Sequence, residues 1–87
     1  MDKVLLKKIK QKIDETISKK DEIKQLVNSL SNIDDSKSFA MGIIVGRLYN
    51  AFYYQSKRIL NREPTKDEFN EFLEFIKTKK SNLEDLW

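Results

Sequence analysis

Two glycines, Gly42 and Gly46, sit four residues apart inside Phe39–Leu60, FAMGIIVGRLYNAFYYQSKRIL, a stretch that otherwise reads as one helix. A glycine in a helix interior costs about 1 kcal/mol against alanine. Two on one face mark a strip without side chains, where another backbone can lie close. The crossing helix can belong to the same chain or to a second copy. The same stretch holds five of the nine aromatic residues. Its apolar positions cover more than one face: Val45, Leu48, Phe52, Ser56 and Ile59 share one side, and Gly42, Gly46, Tyr49, Tyr53 and Leu60 lie beside it. So wide an apolar arc places a helix in the middle of a bundle.

The flanking segments are helical as well. From Asp2 to Leu30 an apolar stripe recurs at coiled-coil spacing, with Leu6, Ile13, Lys20 and Val27 at one heptad position and Ile9, Thr16, Ile23 and Leu30 at the other. Lys20 and Thr16 weaken its middle. Ser18 through Asp21 also reads as a capping box that can start a new helix. With no glycine or proline to interrupt it, a single helix of roughly 45 Å is the preferred reading. The linker after it, SNIDDSKS, offers Asp35 or Ser36 as an N-cap. After a second break at Asn61–Pro64, Thr65 and Glu68 form a capping box before the stripe Phe69, Phe72, Leu73 and Ile76. Asp67, Glu68 and Glu71 sit at the positive end of that helix's dipole and Lys77, Lys79 and Lys80 at the negative end. Leu83, Leu86 and Trp87 form a tail that can dock back on the core or anchor a partner.

The expected architecture is one all-α domain over 1–87: a three-helix up-down-up bundle, helices about 2–30, 36–60 and 65–80, tail 81–87, the N-terminal helix longest. With 87 residues the core is thin, and homodimerisation is the expected supplement. The interface residues are Gly42, Gly46, Tyr49 and Tyr53, joined by Leu6, Ile9 and Ile13 if the heptad stripe pairs with its symmetry mate as a coiled coil.

The chain has no cysteine and no histidine. Disulfides, thiolate metal sites and triads built on an imidazole are therefore excluded. The carboxylates Asp67, Glu68, Glu71 and Glu74 read as a dipole-matched exposed face, not as a metal set. No enzyme activity, metal or cofactor is expected. No apolar run reaches the length of a membrane span, and no signal peptide is visible, so a cytoplasmic protein is the default.

The net charge of +3 is spread along the chain, with 61–87 slightly acidic. One stripe of the central helix nevertheless combines cations with an aromatic ring: Arg47, Tyr54, Lys57 and Arg58, followed at once by Arg62. Arginine beside tyrosine suits phosphate contact with base stacking. NREPTKDEF looks like the turn before a DNA-reading helix, but the helix after it opens with acids that phosphates would repel. The sequence thus supports a non-catalytic, self-associating interaction module first, and a nucleic-acid-binding accessory protein, using Arg47, Tyr54, Lys57, Arg58 and Arg62, as the alternative.

Overall fold

The computed structural model describes residues 1–30 and 35–85. Within them the chain is all-helical, with five helices: α1 (Lys3–Ser18), α2 (Lys20–Ser29), α3 (Ser36–Leu60), α4 (Lys66–Thr78) and α5 (Lys80–Glu84). Leu86 and Trp87, expected to dock or to anchor, lie outside the described residues, as does most of the linker before α3.

Side chains start the long helices. Asp2 accepts from the Leu5 N–H at the start of α1, and Asp35 accepts from the Ser38 N–H at 3.0 Å at the start of α3. Thr65 and Glu68 form the expected capping box at α4. Asn61 ends α3 in the left-handed region, φ 58°, a conformation asparagine tolerates better than most side chains.

The first segment is not one helix. It breaks at Lys19, whose N–H is shared at 3.1 Å between the carbonyls of Glu15 and Thr16. The cause is competition by hydroxyls. Thr16 Oγ1 donates to the Lys12 carbonyl at 2.7 Å and Ser18 Oγ donates to the Glu15 carbonyl at 2.6 Å, bonds that disturb the backbone ladder. The Ser18 capping box does not form, because its hydroxyl is turned back. Thr78 repeats the device, donating to the Phe75 carbonyl at 2.6 Å just before the break at Lys79. The helix expected to end near Lys80 therefore ends at Thr78, and part of the expected tail is α5.

Helix α3 is central. It packs against α1, α2 and α5. Its 25 residues, at about 1.5 Å each, account for most of the molecule's 41 Å length. Ala40, Ile44, Leu48 and Phe52 form its buried row, met by Leu5, Ile9 and Ile13 of α1, Ile23 and Val27 of α2, Phe72 of α4 and Leu83 of α5. The rings of Phe52 and Phe72 stack, centroids 4.5 Å apart and 11° from parallel.

This packing corrects two expectations. Ile9 and Ile13 are fully or almost fully buried in the chain's own core, so the heptad stripe is spent on α3 and is not free to form a coiled coil. Lys20, expected at an inward position, is exposed.

Candidate functional site

The four residues expected as an interface on the central helix do share a face. On α3 the glycines stand one turn apart, and Tyr49 and Tyr53 continue the row. Both glycines are exposed, and a Cβ built on either meets nothing within 4 Å. Among the described residues no helix crosses them, which overturns the intramolecular version of the crossing. Neither glycine has a positive φ, so the backbone does not require them either. At the far end of the strip Tyr49 is 44% exposed. Its ring stands edge-on to Tyr53, centroids 5.1 Å apart, and to Phe69 of α4, 6.1 Å apart. Tyr53 in turn meets Phe52 edge-on at 5.9 Å. An aromatic series thus runs from the open strip to the stacked pair in the core. Leu6, the third interface residue assigned to the first helix, is half-buried beside α4, in a depression shared with Glu71 and Phe75, away from this strip.

About 100° further around α3 lies a groove of about 450 Å³. Lys12 of α1 and Arg47, Asn50, Tyr54, Gln55 and Lys57 of α3 line it, with Ala51 and with Tyr53, which is also the last member of the glycine row. Three of the five residues of the basic stripe, Arg47, Tyr54 and Lys57, therefore come together. Arg58 is exposed but lies outside the groove lining. Arg62 is turned to α4, where both of its terminal nitrogens bond Glu68, at 2.6 and 3.1 Å.

The groove's cations each have a carboxylate near them. Glu15 stands 3.0 Å from Lys12 and 4.0 Å from Arg47, and Glu63 stands 3.6 Å from Lys57. These pairs are exposed, and such pairs are worth about 0–1 kcal/mol, so an incoming anion can displace them. Gln55 differs from its neighbours. It is 4% exposed and its Oε1 is buried with no hydrogen-bond partner among the described residues. Tyr54 is the opposite, a ring 63% exposed.

Sequence reasoning missed Lys12, Gln55 and the two carboxylates. Lys12 flanks the α1 seam one residue before Ile13, a position that reaches the groove only once α1 is laid on α3. Gln55 carried a signal, since it falls among the apolar positions on the buried side of α3.

Of the expected acidic face, Glu68 belongs to the α4 cap and Glu74 pairs with Lys77 at 2.9 Å. Among the described residues no helix is long and apolar enough to cross a membrane. Comparison with protein-family models, with curated proteins and with solved structures gives no match for this chain.

Proposed function

We propose that this protein is a small non-catalytic assembly module of the cytoplasm, which pairs with a second copy through the glycine strip of α3 and so completes an up-down-up helical bundle. One observation carries the reading. Gly42 and Gly46 weaken α3 by about 1 kcal/mol each relative to alanine, and among the described residues nothing in the packing or backbone calls for them. A helix from another copy laid across the strip would use that space, because side-chain-free positions let two backbones approach closely. Tyr49, half-exposed at the end of the strip, supplies the kind of aromatic anchor that dominates interface energetics.

Light scattering over a range of concentrations tests this. The wild type is expected to show a concentration-dependent dimer. Gly46→Leu is expected to keep the helical content of the monomer and to melt no lower than the wild-type monomer, because its Cβ meets nothing within 4 Å and leucine is a better helix former than glycine, yet to lose the dimer. A wild type that stays monomeric up to millimolar concentration, or a Gly46→Leu protein that dimerises as well as the wild type, would overturn the proposal. The alternative reading, nucleic-acid binding, is favoured by the convergence of Arg47, Tyr54 and Lys57 on one groove.

A further inference from the structure

The groove beside the glycine strip has a chemistry of its own. Its cations come from two helices, so a ligand placed there bridges α1 and α3. Arg47 and Lys57 are ten residues apart on α3, which sets them about 15 Å apart along the axis. One phosphate cannot reach both, but successive phosphates of a strand can. Between them stands Tyr54, two turns beyond Arg47, with a largely exposed ring that matches what a base needs for stacking. Gln55 lines the same groove, and its amide oxygen is buried with no hydrogen-bond partner among the described residues. Buried polar atoms are nearly always partnered; turning the Gln55 amide about its terminal bond would bring that oxygen to the groove, where the edge of a nucleic-acid base offers the N–H donor it lacks.

We propose that the groove binds single-stranded nucleic acid. Arg47 and Lys12 take a phosphate at one end and Lys57 takes another at the far end. Tyr54 stacks on the base between them, and the Gln55 amide meets that base's edge. Glu15 and Glu63 are the anions that the phosphates replace. Tyr53 belongs to both the groove wall and the glycine strip, but none of the side chains assigned here to phosphate or base does, so the two readings are tested on separate residues.

The probe is a short fluorescein-labelled oligothymidylate, followed by anisotropy at low salt. Lys57→Glu and Arg47→Glu are expected to weaken binding by about tenfold or more and to lower the salt slope by about one. Tyr54→Ala is expected to weaken it by about tenfold. Glu15→Gln, which removes the competing anion, is expected to tighten it. Lys66→Glu makes the same charge change at the exposed start of α4, away from the groove, and is expected to matter little. All five side chains are exposed, so circular dichroism should show an intact fold in each. No binding at low salt overturns the proposal. So does a loss with Lys66→Glu equal to that with Lys57→Glu, which would mark attraction by net charge alone. Thymidine monophosphate competing as well per mole as the oligomer would assign the groove to free nucleotides and overturn the strand.

Discussion

Arg62 grips both oxygens of Glu68, Nη1 to Oε1 at 2.6 Å and Nη2 to Oε2 at 3.1 Å. The same carboxylate accepts from the Thr65 N–H at 2.8 Å. One side chain therefore ties the residue after the α3 cap to the first turn of α4. Charge-assisted, two-pronged bonds of this kind are stronger than neutral ones. The arrangement also explains why Arg62, one of the cations that the sequence offers to a phosphate, is turned away from the groove.

The Glu68 carboxyl carries the mark of that grip. The Arg62 guanidinium, then the backbone bond at Thr65, hold its pKa down from the ordinary 4.5 to about 2. A carboxyl with a depressed folded pKa contributes stability that is fully present above its unfolded value and is lost as pH falls. The window here is from about 4.5 down to about 2. Glu68→Gln keeps a residue suited to the capping box but removes the charge. It is expected to be less stable than the wild type at neutral pH by about 1 kcal/mol, with the gap closing as pH is lowered through that window. Urea unfolding at a series of pH values measures both. A gap that stays constant with pH would show that the charge is not what the pair contributes.

The open glycines make a prediction opposite to the usual one for a glycine notch in a helix. In dilute, monomeric protein Gly42→Ala and Gly46→Ala are each expected to stabilise the fold by about 1 kcal/mol. In a chain of this size that raises the melting temperature by about 4–8 °C. The methyl groups enter open space, so only helix propensity is at work. A lower melting temperature for either variant would mean that something does lie across the strip.

Much of this fold is legible where a local signal is strong. The α4 start is announced by Pro64 and the Thr65 and Glu68 box, and Asp35 announces the start of α3. The chain breaks were harder to see. Ser18, Ser29 and Thr78 are each the last residue of their helix, and each hydroxyl donates to the carbonyl three residues back. Their sequence signal is a lone hydroxyl, the same residue type that caps helix starts, so Ser18 reads as a beginning when it marks an end. The destination of the α1 seam was not legible either. Ile9 and Ile13 fit a heptad and a single-chain core equally well, and only the docking of α1 on α3 decides between them. The groove is half legible for the same reason. Arg47, Tyr54 and Lys57 share a helix face by spacing, whereas Lys12 joins them only through tertiary packing.

The Phe52 and Phe72 stack is the joint between α3 and α4. Phe72 is the one buried residue of α4, 2% exposed, so the helix has no second anchor of comparable depth. Phe72→Ala is expected to cost about 3–5 kcal/mol, a large part of the 5–15 kcal/mol that a typical domain has in total. Phe72→Leu keeps most of the volume and is expected to cost much less. Thermal unfolding of the two variants distinguishes them. Equal losses would point to the ring stacking itself rather than to the space it fills.

Gln55 and Ser56 are neighbours with the same defect and different surroundings. Both are buried, and neither Gln55 Oε1 nor Ser56 Oγ has a hydrogen-bond partner among the described residues. A buried polar atom left unpaired costs about 1–3 kcal/mol. Replacing it with an apolar group of similar shape should therefore stabilise. Ser56→Ala and Gln55→Met are each expected to raise stability by about 1 kcal/mol, read by urea unfolding. Their effects on oligothymidylate binding should separate. Gln55 lines the groove and Ser56 does not, so Gln55→Met should weaken binding while Ser56→Ala leaves it unchanged. Such a split would mark Gln55 as a residue whose burial destabilises the free protein and serves the bound one. If both variants bind like the wild type, the Gln55 amide plays no part in recognition, and its unpaired oxygen is a cost of the fold alone.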